Sequence, residues 1–229
     1  MCGRYTLSQP GDILNELGVP PEEQHELTAN YNIAPTQDVA IVRADASGQR
    51  HLATVRWGLI PFWAKDEKIG NQMINARGES VAEKPAFKNA LKRRRCLLLA
   101  DGFYEWKKQG AAKQPFHIHL LGHAPFVMAG LWERWTKGPE PIESCTVITT
   151  SANSKVAELH DRMPVILGGE ARDLWLDDKI DDTEVLTSVL QPYPAEYMAF
   201  TPVSRMVNNP RNNSPDCLRE IAPLSLFES

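Results

Sequence analysis

The chain has 229 residues, 42% of them hydrophobic and 24% charged, with a formal net charge of −4. That composition excludes a disordered or fibrous chain and fits a single soluble domain with a continuous core. The acidic balance excludes a globally basic nucleic-acid binder, so any such contact must be a local patch.

In chain order, Ile13, Leu14 and Leu17, stopped by Gly18 and Pro20, predict a short amphipathic helix. Residues 38–43 and 51–57 alternate as two strands, joined by turn residues Asp45 to Gly48. Residues 87–92 have helical spacing, and the apolar run 96–100 reads as a buried strand. Further strands are expected at 115–121, 126–132 and 146–149. Asn153 or Ser154 is placed to cap a helix through Val156, Ala157 and Leu159. Helices at 170–176 and 182–190 precede a last strand at 197–201, and the Asn/Pro-rich segment from Asn208 to Pro215 reads as a loop. Many short strands with few helices predict an α+β class with largely antiparallel sheet. One domain is expected over 1–229, with a less regular tail from 208. No run reaches the ~20 apolar residues of a membrane span, and no membrane partner is expected.

The four cysteines, Cys2, Cys96, Cys145 and Cys217, show no CxxC spacing. They build neither a zinc knuckle nor a disulfide framework, and a reducing cytoplasm is expected. Position 2 changes the chemistry of its cysteine. Removal of Met1 leaves Cys2 with a free amine (reference pKa ~7.7–8.0) and a free thiol (~8.5) on adjacent carbons. Such an aminothiol attacks an aldehyde through nitrogen to give a Schiff base, and the sulfur then closes a five-membered thiazolidine. The competing reading is a small buried hydrophobe under the first strand.

Four polar clusters fall where strands or helices should end: residues 75–79, 101–106, 149–153 and 160–164. Glu105, between Tyr104 and Trp106, acquires a raised pKa if buried there; otherwise it is a carboxylate salt-bridged to arginine. His160 suits acid/base work, or a helix end. Arg77 and Arg162 can grip phosphates, or pair with Glu79 or Asp161. Asn75 can orient a substrate or the Cys2 amine. His117 and His119 alternate on one strand face without a third ligand at a recognisable spacing, so a solvent-facing pair is expected and no metal site. The run Lys92-Arg93-Arg94-Arg95 reads as a solvated helix end, and Trp57, Phe62, Trp63 and Trp106 are the aromatics available for stacking on single-stranded nucleic acid.

Taken in order, Met1-Cys2-Gly3-Arg4-Tyr5, Tyr31-Asn32-Ile33-Ala34-Pro35-Thr36, Arg56-Trp57-Gly58-Leu59-Ile60-Pro61 and Asn75-Ala76-Arg77-Gly78-Glu79 resemble the signatures of the SRAP (SOS response-associated peptidase) family. So do residues 101–106 and 160–167. The resemblance implies a barrel-like antiparallel domain and a sensor of abasic sites in single-stranded DNA, working in the DNA-damage response. It implies that Cys2 is the nucleophile and forms a thiazolidine crosslink with the ring-opened sugar. It further implies that Asn75 holds the Cys2 amine and the lesion, Glu105 assists proton transfer, and His160 promotes sugar ring opening. Arg4, Arg77, Trp106, Thr149 and Arg162 are implied as DNA contacts. Weak lyase activity, autoproteolytic loss of Met1, a monomer and association with the nucleoid complete the expectation, with no cofactor. Two alternatives stay open: a cysteine peptidase acting on other proteins, and a non-catalytic single-strand binding module.

Overall fold

The computed structural model describes residues 2–24, 27–110 and 112–222. Met1 and residues 223–229, on which the expected processing and the end of the tail fall, lie outside them. The first strands are β1 (Tyr5–Leu7), β2 (Asn30–Ile33), β3 (Asp38–Ala44), β4 (Arg50–Trp57) and β5 (Asn75–Arg77). There follow β6 (Arg95–Ala100), β7 (Gly102–Gln109), β8 (Ala112–Leu120), β9 (Phe126–Trp135) and β10 (Ile142–Ser151). The last are β11 (Arg162–Pro164), β12 (Ile166–Leu167) and β13 (Met198–Pro202). The α-helices are short: α1 (Ile13–Glu16), α2 (Lys88–Arg93), α3 (Gly169–Leu176) and α4 (Thr183–Ser188).

Five strands close on themselves. β3 pairs antiparallel with β4 and with β6, β6 with β9, and β9 with β10. The ring shuts through a parallel contact between β4 and β10, at Arg56↔Ser144 and Trp57↔Cys145. Closure removes exposed strand edges, which explains why so apolar a sheet is tolerated. Gly130 of β9 marks a tight point, because a Cβ there would run into the Leu98 side chain. All six residues of β6 are buried. One face of this strand meets the barrel core; the other lies under α3, whose Trp175 indole donates to the Cys96 carbonyl at 3.1 Å. Leu98 is fully buried in the main core. Leu98→Ala is therefore expected to cost about 2–5 kcal/mol, read as a lower urea midpoint at unchanged slope.

A second sheet runs β13-β8-β7-β1-β2. Asp101, at the passage from β6 to β7, fastens the two sheets. Its carboxylate accepts from the Ser8 and Gln9 amides, both at 2.6 Å, and from the Ser8 hydroxyl at 2.7 Å. β1 then zips onto β7 at Tyr5↔Phe103 and Thr6↔Gly102. This draws the N-terminus along the strand that carries Glu105.

The expected α+β class with largely antiparallel sheet is what the chain adopts. The expected helix through Val156 shrinks to a 3₁₀ turn, Val156–Glu158, although Asn153 Oδ1 does accept from the Val156 amide at 2.9 Å. His117 and His119 are not solvent-facing; both are buried, at 6% and 5% exposure. β8 lies inside its sheet, and this face is roofed by the Ser8–Gln9 turn and by Thr201 and Val203, around a cavity of about 190 Å³. Burial pushes the His117 ring down to about 3, and its Nε2 sits 3.0 Å from the Thr6 hydroxyl. Among the described residues no group of three His, Cys, Asp or Glu is arranged to hold a metal. No helix among the described residues is long and apolar enough to cross a membrane.

Candidate active site around Cys2

Strand β10 gathers the site. β5 joins it in parallel, setting Asn75 against Val147 and Arg77 against Thr149. β11 joins its other edge, setting Arg162 against Ser151. Asn75, Arg77, Thr149 and Arg162, separated by up to 87 positions in sequence (162 − 75), thus meet at one end of one strand. The β1–β7 pairing supplies Cys2, Glu105 and Trp106 from the second sheet.

Cys2 is fully buried. Asn75 Nδ2 donates to its carbonyl oxygen at 2.8 Å, which fixes the backbone at Cys2. The other amide atom, Asn75 Oδ1, is buried and has no hydrogen-bond partner among the described residues. An unsatisfied buried acceptor is costly, so a donor brought by an amine or a sugar hydroxyl would relieve it. Burial pushes the Cys2 thiol up to about 12, with the Glu105 charge adding to the effect. A thiol so placed is a poor thiolate at neutral pH.

Glu105 is 5% exposed. Burial raises its carboxyl to about 7, and the nearby Asp161 charge works in the same direction. It can therefore give and take a proton near neutrality. Burial holds His160 below the usual imidazole range, although Asp161 opposes this. The Arg162 amide donates to His160 Nδ1 at 3.0 Å, which leaves the proton of the neutral ring on Nε2. The Asp161 carboxylate lies 2.8 Å from the same Nδ1 and becomes its partner when the ring is protonated.

Arg162 forms an ion pair with Glu79. It is bidentate to Glu79 at 2.6 and 2.9 Å and donates to the Thr149 carbonyl at 2.7 Å. That pairing holds the Glu79 carboxyl below its ordinary range. Thr149 itself is 1% exposed, so it positions Arg162 from beneath. Arg77 is exposed and has no ion-pair partner among the described residues. Arg4 is stitched inward: its guanidinium donates to Asn32 Oδ1 and the Val207 carbonyl, both at 2.7 Å, and lies 5.9 Å from the Trp106 ring centroid. The Trp106 indole donates to Asn208 Oδ1 at 2.8 Å. Arg4 thus props the aromatic wall. The sequence marks neither Asn32 nor Asn208 for these contacts: Asn32 lies within the Tyr31–Thr36 motif, while nothing local distinguishes Asn208 from its Asn-rich surroundings.

Two cavities are lined by residues of this cluster. One, of about 450 Å³, is lined by Glu105, Trp106, Lys113, His160 and Asn208. The other, of about 390 Å³, includes Asn75, Arg77, Trp63, Lys84 and Phe87. Of the stacking candidates, Trp57 is fully buried and drops out, whereas Phe62 and Trp63 are 46% and 41% exposed.

Comparison with known proteins places these residues in a family. Residues 1–210 match the family model described as SOS response associated peptidase (SRAP). The chain is 46% identical over 225 residues to the abasic site processing protein YoqW of Bacillus subtilis, covering 95% of this chain and 99% of that protein. It is 38% identical over 203 residues to the abasic site processing protein HMCES of Gallus gallus, covering 77% of this chain and 60% of that one. Among solved structures, a protein from Bacteroides thetaiotaomicron superposes with a TM-score of 0.83 at 26% identity, over 96% of this chain and all of the other. One from Bordetella bronchiseptica gives a TM-score of 0.74 at 28% identity, over 89% of this chain. With its barrel, its N-terminal cysteine and the cluster around it all lying inside the matched span, the chain belongs to the SRAP family.

Proposed function

We propose that this chain senses abasic sites in single-stranded DNA and shields them by forming a covalent thiazolidine through Cys2 once Met1 is removed. The observation that carries the reading is the burial of Cys2 between Asn75 and a carboxyl, Glu105, whose proton is exchangeable near pH 7. A thiol held near 12 argues for an amine-first reaction and against a thiolate peptidase. The abasic sites processed by the named relatives are aldehydes in equilibrium with a closed sugar.

The steps follow from the residues. A protonated His160, its Nδ1 against the Asp161 carboxylate, gives its Nε2 proton to the ring oxygen as the C1–O bond breaks, and takes up the proton that the C1 hydroxyl sheds in becoming the aldehyde, so that His160 ends as it began. The Cys2 amine forms a nitrogen–carbon bond to the aldehyde carbon. Glu105 then protonates the hydroxyl, which leaves as water and creates an iminium ion. The Cys2 sulfur adds to the same carbon, and its proton passes to the newly formed Glu105 carboxylate. The ring is closed, one water has been released, and Glu105 is protonated as at the start. An iminium that fails to cyclise permits β-elimination, giving weak lyase activity. Arg77 and Arg162 hold the phosphates flanking the lesion, Trp106 stacks on a base, and the protein acts as a monomer on cytoplasmic DNA.

The test mixes the purified protein with a single-stranded oligonucleotide bearing one abasic site, followed by denaturing electrophoresis and intact mass. A heat-stable adduct is expected, at the summed mass less Met1 and one water, and absent with undamaged DNA. Acetylation of the α-amine with the thiol left free abolishes it. A stable adduct surviving that block would overturn the mechanism; reversible, salt-sensitive binding alone would leave the single-strand binding module as the function.

A further inference from the structure

The run Lys92-Arg93-Arg94-Arg95 divides in the fold. Arg95 is 5% exposed and serves as a structural cap, donating to the carbonyls of Leu91, Lys92, Trp175 and Asp177. It thereby supplies the cation that the C-terminal end of α2 favours. Arg94 is paired with the buried Glu133 at 2.7 Å. Lys92 and Arg93 are left exposed with no such structural task. Among the described residues Lys92 has no ion-pair partner, and Arg93 only approaches Asp181 at 3.9 Å, both side chains being well exposed. A pair so open is weak and screened, and a phosphate displaces it readily.

These two cations line a cavity of about 410 Å³ together with Phe62, Asn89, Arg94 and Glu133. Phe62 is chain neighbour to Trp63, which lines the cavity containing Asn75 and Arg77. Lys84 and Phe87 line that same cavity and lead directly into α2. The two cavities therefore share a single ridge, two exposed aromatic rings in succession, with cations on both sides. A positive groove tracking a backbone, with aromatics for its bases, is the chemistry of single-strand binding.

We propose that the strand carrying the lesion continues over the Phe62–Trp63 ridge and lays its flanking phosphates against Lys92 and Arg93. The occupant rests on the function proposed above, because it is the same DNA molecule held at Arg77. In a chain of net charge −4, this exposed cation pair beside aromatic surface is complementary to a polyanion with stackable bases. It makes affinity grow with flank length, while the chemistry at Cys2 stays independent of it.

The experiment compares the wild type with Lys92→Ala/Arg93→Ala. Binding of an undamaged single strand of about 20 nucleotides is titrated against salt, and the adduct rate is measured on an abasic strand of about 5 nucleotides. For the variant, the slope of log affinity against log salt is expected to fall in magnitude by about 1.4, at ~0.7 per lost phosphate contact. Affinity at low salt should drop roughly tenfold, while the short strand reacts at the wild-type rate. An unchanged salt slope in a variant of wild-type melting temperature overturns the proposal, as does an equal loss on the short strand. If the wild type forms no adduct but the slope still falls in the variant, the covalent function fails and the flanking DNA contact stands.

Discussion

Replacing Glu105 by Gln should slow adduct formation by about 10²-fold or more and, at the same time, make the protein more stable at alkaline pH. The reactive form needs a neutral Cys2 amine and a protonated Glu105. With an amine at ~7.7–8.0 and the carboxyl at about 7, the wild-type rate should peak between those values. It rises as the amine loses its proton and falls as Glu105 ionises. Gln cannot ionise, so the alkaline limb disappears and a slower, simply rising profile remains.

The stability sign is opposite to that of an ordinary surface carboxylate. Burial lets native Glu105 keep its proton to about pH 7, whereas the unfolded chain releases it near ~4.3. Between those values the native state binds more protons, so this group's contribution to stability falls as pH rises. At pH 8 the charge is buried at a cost on the order of 3–4 kcal/mol, which Gln removes; at pH 4 the variant and wild type should match. Melting temperatures at both pH values check this. A retained alkaline limb would exclude Glu105 from proton transfer, and no stabilisation at pH 8 would contradict its raised pKa.

Cys2→Ser should separate the two nucleophiles. The amine remains, so an iminium still forms and borohydride still traps it. The hydroxyl is a far weaker ring-closing group than sulfur, so the heat-stable adduct should fall by about 10²-fold or more, a loss of roughly 2.7 kcal/mol in transition-state stabilisation. The uncyclised intermediate then drains by β-elimination, and strand cleavage should exceed the wild-type level. Denaturing gels with and without borohydride read both products. A heat-stable adduct at the wild-type level would remove sulfur from the mechanism; no trappable adduct would remove the amine.

Much of this site was visible before any fold was known, for reasons that differ residue by residue. The aminothiol of Cys2 depends on covalent position alone. The alternation at 38–43 and 51–57 and the turn between them produced β3 and β4 within a residue or so of their ends. Strands β5, β11 and β12 escaped notice because two or three residues carry no measurable period. β7 was masked by charged Glu105, Lys107 and Lys108 within its span.

The sequence by itself determined the place of a cysteine at position 2, the class of the fold and the family motifs, all of which depend on local chemistry or on order along the chain. Only the tertiary structure decided what each polar residue does. It turned His117 and His119 inward, spent Arg95 on helix ends, tied Arg4 to Asn32, and set Glu79 and Thr149 to hold Arg162. It also brought Asn75 to the Cys2 carbonyl across 73 positions. The reason is physical: pKa values and ion pairs depend on burial and on neighbours remote in sequence, and those are set by how β5, β7 and β11 close around the barrel.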